Sequence, residues 1–241
     1  MSWLTDPQIW ASLLTLTFLE IVLGVDNLVF VALLAGRLPK ESQSRARLTG
    51  LALAVVTRLG LLAGINWIIG LTTPLFEVYQ HAVSWRDLLL IGGGLFLLYK
   101  GTTEIHERLE GEEDEPNVGA ARRGFLSVVL QIVALDLVFS LDSVITAVGM
   151  AQDFRIMAAA IVIAIAIMMA ASGPLASFIE RHPTVRMLAL SFLLLIGMSL
   201  MAEGAGFDVP KGYIYAAIGF SIAVESLNQF AARGRKRGKG H

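Results

Sequence analysis

Cysteine is absent from the chain, and histidine is scarce where it would matter most. The lack of cysteine excludes disulfide bonds and thiolate metal ligands, and it leaves the redox compartment undetermined. None of the four histidines lies within a long apolar run, because His81, His106 and His182 fall in connecting stretches and His241 is the last residue. Any metal site inside an apolar segment must therefore use oxygen ligands.

Charge is sparse as well. Only 16% of the 241 residues are charged, 55% are hydrophobic, and the mean hydropathy is +0.67. A soluble domain would have about a quarter of its residues charged. Apolar runs of about 20 residues, long enough to cross a bilayer as a helix, recur along nearly the whole chain. The first run lacks the basic start and the Ala-x-Ala-like cleavage site of a signal peptide. We therefore predict an all-α, polytopic membrane protein.

Seven apolar segments predict seven transmembrane helices. They are Ile9–Leu34, Leu48–Leu71, Leu88–Tyr99, Phe125–Met150, Ile156–Ile179, Val185–Ala202 and Tyr213–Phe230. The acidic stretch between the third and fourth segments is the only candidate linker. The predicted division is a first three-helix repeat (1–106), an acidic cytoplasmic linker (107–124), a second three-helix repeat (125–210), a seventh helix (211–232) and a basic cytoplasmic tail (233–241).

The distribution of lysine and arginine predicts the orientation. Of the 19 basic residues, 15 follow the first, third, fifth and seventh segments, whereas only Arg86, Arg155 and Lys211 fall on the opposite side. Basic loops stay in the cytoplasm, so the N-terminus is expected outside and the C-terminus inside. The basic tail then acts as a cytoplasmic anchor rather than a nucleic-acid-binding segment. The nineteenth basic residue, Arg58, lies within the second segment.

Two acidic motifs lie 116 positions apart in the first and fourth segments. Each has an acid, five mostly apolar residues, a second acid and a small polar residue: Glu20, Asp26 and Asn27, then Asp136, Asp142 and Ser143. A carboxylate near the centre of a membrane helix costs about 2.5–3.5 kcal/mol on insertion scales, so four of them require compensation. One such acid could be satisfied by neighbouring helices, but a duplicated set favours a shared site.

The duplication predicts an inverted repeat. The first and fourth helices run in opposite directions because an odd number of crossings separates them. Weaker matches link the third and sixth segments: Ile91-Gly92 with Ile196-Gly197, and Tyr99-Lys100-Gly101 with Ala202-Glu203-Gly204. Three helices repeated in inverted topology are typical of secondary transporters, whose sites lie near the bilayer midplane.

The helical rise places the acids in two layers. Glu20 with Asp142, and Asp26 with Asp136, are expected at similar depths, about 3–6 Å from the helix centres. Acids six residues apart point about 120° away from each other on a regular helix. The first interpretation is therefore two linked subsites. The second, which we favour, is irregular backbone near Gly24 and Ser140 that adds carbonyl ligands.

Carboxylate, amide and hydroxyl oxygens suit hard divalent ions such as Mn²⁺, Mg²⁺ or Ca²⁺. Four carboxylates exceed the charge of one such ion, so either some are protonated or Arg58 offsets them. Arg58 is expected at the depth of Asp26 and Asp136. It either pairs with them structurally or occupies the site when the ion leaves. The excess of carboxylates also makes exchange of metal for protons a working hypothesis.

Glu20–Phe30 (EIVLGVDNLVF) and Asp136–Thr146 (DLVFSLDSVIT) resemble the TerC family of integral membrane proteins, as does Tyr99–Glu107 (YKGTTEIHE). The resemblance covers nearly the whole chain. It implies a bacterial inner-membrane protein related to the LysE-type transporters and associated with manganese efflux. By motif match, the metal-site residues carried over are Glu20, Asp26, Asn27, Asp136, Asp142 and Ser143.

The leading hypothesis is an exporter of Mn²⁺ or a similar hard cation that is not an enzyme and holds no prosthetic group. A membrane scaffold that supplies metal to exported proteins or docks the secretion machinery is the first alternative. An intramembrane aspartyl protease is the second, but the chain lacks the Gly-x-Gly-Asp pattern expected of such enzymes and two acids would be left over. The partners predicted are a divalent ion and the bilayer, without nucleic acid, and the secretion machinery or further copies of the chain stay open.

Overall fold

A computed structural model describes residues 7–65, 70–78, 81–110, 118–150, 153–207 and 209–238. Within these ranges some side chains, including those of Asp26, Asp142 and Ser143, lie outside the description. Seven long helices and one hairpin make up most of the described residues: α1 (Pro7–Ala35), α2 (Lys40–Ala63), β1 (Pro74–Val78), β2 (His81–Ser84), α3 (Trp85–Glu110), α4 (Val118–Met150), α5 (Phe154–Arg181), α6 (Pro183–Gly204) and α7 (Lys211–Gly238).

Five of these helices are long and apolar enough to cross a membrane. The spans lie in α1, α2, α3, α5 and α6: Pro7–Val25, Lys40–Ala63, Trp85–Glu107, Phe154–Arg181 and Pro183–Gly204. In α4 the apolar stretch found among the described residues is shorter, Gly124–Ser140. The chain is therefore a helical, polytopic membrane protein. The count of seven spans, the orientation and the division into repeats stay predictions.

Some helices extend well beyond the apolar segments that predict them. The third segment was expected at Leu88–Tyr99, whereas α3 runs from Trp85 to Glu110. Lysine, arginine and glutamate favour helix, so polar residues can continue a helix past its apolar part. The same reason explains why α7 continues into the basic tail as far as Gly238.

An unpredicted antiparallel hairpin precedes α3. In its register Val78 lies opposite His81, and Pro74 lies opposite Ser84. Ser84 then caps α3, because its hydroxyl accepts a hydrogen bond from the Asp87 amide at 3.3 Å while Asp87 Oδ2 accepts from the Ser84 amide at 2.8 Å. This reciprocal pair is a capping box, which the sequence Ser84-Trp85-Arg86-Asp87 encodes.

Equally local signals begin α5 and both begin and end α6. The Asp153 side chain accepts a hydrogen bond from the Arg155 amide at 2.8 Å and so caps the start of α5. Pro183 opens α6, where its missing amide hydrogen costs nothing. At the end of α6, Gly206 has φ 87°, and the Phe207 amide donates to the Ala202 carbonyl at 2.9 Å. This Schellman motif favours glycine because its φ is positive.

The core is a group of four helices flanked by a helix pair. Within the four, α1 packs along α5 and α2 along α4, with further contacts between α1 and α4 and between α2 and α5. Buried side chains such as Leu28, Leu62, Ile132 and Ile165 fill the space among them. Outside this group α3 packs along α6, and α7 contacts α6. The two duplicated motifs, on α1 and α4, thus lie within one core.

Four glycines allow α3 and α6 to pack closely. A Cβ added at Gly94 would lie 2.6 Å from the Gly197 carbonyl oxygen and 2.7 Å from Met201, and one at Gly197 would lie 3.0 Å from the Gly94 carbonyl oxygen and 3.2 Å from Leu98. Farther along, a Cβ at Gly101 would lie 2.8 Å from Leu194, and one at Gly204 would lie 2.8 Å from Ile91. Small residues allow such close approach of membrane helices.

We expect the Gly94→Ala substitution to destabilise the protein by about 1–3 kcal/mol, because the methyl group would meet the backbone of α6. Gly92→Ala, on the same helix, is the matched control, since no atom lies within 4 Å of a Cβ added there. Thermal unfolding in detergent compares the two variants. Equal midpoints would contradict the observed packing.

Candidate functional site

Arg58 of α2 joins two acids from two other helices. Its Nη1 donates to Glu20 Oε2 of α1 at 2.7 Å, and its Nη2 donates to Asp136 Oδ1 of α4 at 2.6 Å. Its Nε lies 3.1 Å from Asp136 Oδ1 and 3.3 Å from Oδ2. All three nitrogens of the guanidinium therefore face carboxylates, two of them toward Asp136, and the arginine bridges the two duplicated motifs.

Two neutral polar side chains complete the contacts of Asp136. Asn27 of α1 donates from Nδ2 to Asp136 Oδ1 at 3.3 Å. Ser140, one turn along α4, lies with its Oγ 3.2 Å from Asp136 Oδ2 and also donates to the Asp136 backbone carbonyl. We call Glu20, Asn27, Arg58, Asp136 and Ser140 the acid–arginine cluster. It draws on α1, α2 and α4.

The acid–arginine cluster is buried. Glu20 and Arg58 are each 2% exposed and Asp136 is 6% exposed. A cavity of about 10 Å³ borders Asn27 and Asp136, and another of about 10 Å³ borders Glu20. Each is near the minimum volume that holds one water molecule. The cluster is thus closely packed, and its charges are balanced mainly by one another.

Helical spacing explains which residues meet. Glu20 and Asn27 are seven residues apart, two turns of α1, so they share one face. Asp136 and Ser140 are four apart and share a face of α4 for the same reason. Gly24 lies on α1 between Glu20 and Asn27, and a Cβ there would lie 2.7 Å from Met168 Sδ of α5. A side chain at this position would therefore displace the end of the Met168 side chain from the segment that carries the site.

The structure brings together four of the residues singled out in the sequence: Glu20, Asn27, Arg58 and Asp136. The side chains of Asp26, Asp142 and Ser143 lie outside the described residues, so the pairs Glu20/Asp142 and Asp26/Asp136 stay predictions. Arg58 contacts Glu20 as well as Asp136, and thus connects the two predicted layers. In the described part of the chain no three Asp, Glu or His side chains are grouped closely enough to hold a metal ion together.

The expectation of irregular backbone near Gly24 and Ser140 is wrong. Both α1 and α4 continue as helix through these residues. In the described side chains the charge that offsets the carboxylates of Glu20 and Asp136 comes from Arg58. Ser140 donates to the carbonyl one turn earlier, a bond that serine makes within an intact helix. Ser140 itself was not predicted as a site residue, although its spacing of four from Asp136 was a usable signal.

Ion pairs at the two ends of α3 lie outside the acid–arginine cluster. Arg37, just after α1, contacts Glu104 and also Glu107, the latter at 3.1 Å. At the other end Arg86 contacts Glu203 of α6. Glu203 is therefore part of an α3–α6 link among the described residues rather than a member of the central cluster.

The chain matches the family model described as "Integral membrane protein TerC family" over residues 5–239. It is 58% identical over 233 residues to UPF0053 inner membrane protein YoaE of Escherichia coli (strain K12), covering 97% of this chain and 45% of that protein. It is 56% identical over 239 residues to UPF0053 protein YegH of the same strain, again covering 45% of that protein. The chain thus spans less than half the length of these two relatives.

A relative of similar length is UPF0053 inner membrane protein YgdQ of Escherichia coli (strain K12), 53% identical over 227 residues, which are 94% of this chain and 95% of that protein. No solved structure matches the chain. Close relatives named inner membrane proteins, together with five candidate spans, make this a multi-pass inner-membrane protein. Because the family model matches nearly its whole length, the chain belongs to the TerC family of integral membrane proteins.

Proposed function

We propose that the protein is a transporter that exports a hard divalent cation, Mn²⁺ in the first instance, through a site built on α1 and α4. The observation that carries this proposal is that Glu20 and Asp136, which lie on different helices, are both buried and both contact the guanidinium of Arg58. Buried carboxylates at membrane depth are costly and mark ion pathways. Their oxygen chemistry, with Asn27 and Ser140 beside them, suits Mn²⁺, Mg²⁺ or Ca²⁺.

An inverted repeat is part of the proposal, and the helix contacts support it. In the proposed repeat, α1 corresponds to α4, α2 to α5 and α3 to α6. The contact between α1 and α5 then corresponds to the contact between α4 and α2, and both are observed. The contact between α3 and α6 corresponds to itself. The glycine contacts between α3 and α6 show the same symmetry, with a shift of 103 residues between the two helices. The contact of Gly94 with Met201 corresponds to that of Gly197 with Leu98. The contact of Gly101 with Leu194 corresponds to that of Gly204 with Ile91. Sites of inverted-repeat transporters lie where the repeats meet.

The full proposal places Asp26, Asp142 and Ser143 in the same site as further oxygen ligands, on seven spans with the N-terminus outside and the C-terminus in the cytoplasm. The direction of transport, outward from the cytoplasm, follows from the resemblance to manganese exporters. The chain then needs no catalytic group and no prosthetic group, and the metal ion is its substrate.

Reconstitution of the purified protein into liposomes tests transport directly. We expect saturable Mn²⁺ uptake that protein-free vesicles lack, with competition from other hard divalent ions and little from Zn²⁺ or Cu²⁺. Since several carboxylates share the site, metal entry is proposed to release protons. An acidic vesicle interior should then accelerate Mn²⁺ uptake as protons leave. Flux that ignores the pH gradient would contradict proton exchange, whereas no flux of any divalent ion would contradict transport and favour the scaffold.

A further inference from the structure

Arg58 lies where a transported ion would have to bind. Its Nη1 and Nη2 are 2.7 Å and 2.6 Å from oxygens of Glu20 and Asp136. A hard divalent ion that binds both of these oxygens needs each of them at about 2.0–2.6 Å, which is space that the guanidinium nitrogens occupy. The two cations therefore exclude each other at this pair of carboxylates.

Charge balance points to the same exclusion. Two carboxylates with one guanidinium carry a formal charge of −1, whereas two carboxylates with a divalent ion carry none. A divalent ion and Arg58 held together at the same two acids would be separated by only a few ångströms of low-dielectric protein, where like charges repel strongly. Exchange of one cation for the other leaves both acids paired with a cation before and after the exchange.

Under the proposed inverted repeat, an uncharged residue of α5 takes the position that corresponds to Arg58 of α2. Gly50 of α2 contacts Ile132 of α4. The shift of 116 residues between the two acidic motifs relates Ile132 of α4 to Leu16 of α1. If a shift of 110 residues relates α2 to α5, Gly50 corresponds to Ala160. The expected neighbours Leu16 and Ala160 do line one cavity. The same shift of α2 onto α5 relates Arg58 to Met168, an uncharged residue of similar length that is buried beside Gly24.

We propose that Arg58 is a tethered competitor of the transported ion: it holds Glu20 and Asp136 when no ion is bound, and it must release both before the ion can occupy them. This inference rests on the proposed function and adds the group that sets the affinity of the site. Arg58 thus keeps binding weak enough for the ion to be released, and its return to the carboxylates displaces the ion.

Mn²⁺ binding to the purified, full-length protein tests this role, with Arg58→Gln and Arg58→Lys compared with the wild type. Apparent affinity is the intrinsic affinity multiplied by the fraction of molecules in which the competitor has left. If Arg58 is released in about a tenth of molecules, Arg58→Gln should bind Mn²⁺ about tenfold more tightly. Its turnover in liposomes should fall, because release loses its displacing cation. Arg58→Lys should keep wild-type-like competition.

The outcomes separate this inference from the proposed function. If the wild type binds and transports Mn²⁺ but Arg58→Gln binds it equally or more weakly, Arg58 is a structural bridge and the inference is overturned. If the wild type neither binds nor transports any divalent ion, the proposed function itself fails. Should Arg58→Gln be too unstable to purify, stabilisation measured in membranes replaces binding: added Mn²⁺ should raise the unfolding temperature of Arg58→Gln more than that of the wild type. An equal or smaller rise would overturn the inference.

Discussion

Replacement of Asp136 by Asn is expected to reduce divalent-ion flux by at least about a hundredfold, since even the loss of an outer-shell partner of a metal costs up to about that factor. The substitution keeps the shape of the side chain and removes its charge. Asp136 contacts Arg58, Asn27 and Ser140, so its carboxylate lies at the centre of the acid–arginine cluster. Mn²⁺ uptake into liposomes measures the effect, and Glu20→Gln should behave alike.

Glu107→Gln is the matched control for these two variants. Glu107 also pairs with an arginine, Arg37, at 3.1 Å, but its side chain is 41% exposed. Exposed ion pairs contribute only about 0–1 kcal/mol, so the flux of this variant should stay close to that of the wild type. Retained flux in well-folded Asp136→Asn would refute a role for this carboxylate in transport. Loss of peptide cleavage, in place of loss of flux, would instead indicate a protease.

Much of the site could be predicted because membrane burial makes charge informative. Glu20, Asp136 and Arg58 stand out in apolar segments, where an ionised group must find a partner. Depth along the helix also placed Arg58 near Asp136. What sequence alone could not decide was which carboxylates Arg58 would contact, because depth does not fix the rotation of one helix against another. Arg58, which lies on α2, contacts Glu20 of α1 as well as Asp136 of α4.

Other features were missed for physical reasons that can be named. Ser140 is not part of the duplicated motif, but its spacing of four from Asp136 places the two side chains on one helix face. The hairpin before α3 was missed because it is short and lies between apolar segments. Between α3 and α6, the match of Ile91 to Ile196 is two residues away from the shift of 103 that the glycine contacts follow. The sequence pattern does not show which glycines lie at the contact between the two helices.

The second large effect concerns stability. We expect Arg58→Met, which keeps a long side chain but removes its charge, to lower the free energy of unfolding by about 3–5 kcal/mol, because Glu20 and Asp136 would stay buried without their shared cation. Arg47→Met is the control. Arg47 lies on the same helix and is also buried, at 9% exposure, but its Nε has no hydrogen-bond partner in the part of the chain that the structure describes. Unfolding in detergent compares the two variants.

The triple variant Glu20→Gln/Arg58→Met/Asp136→Asn distinguishes a group kept for stability from one kept for transport. Replacing a whole buried ion network by neutral residues is often neutral or stabilising, so this variant should recover to within about 1–2 kcal/mol of the wild type. It should nevertheless transport no divalent ion. A triple variant that is stable but inactive would show that the three buried charged residues are needed for ion binding and not for the stability of the fold. If the triple variant is as unstable as Arg58→Met, the cluster holds α1, α2 and α4 together, and its retention needs no transport to explain it.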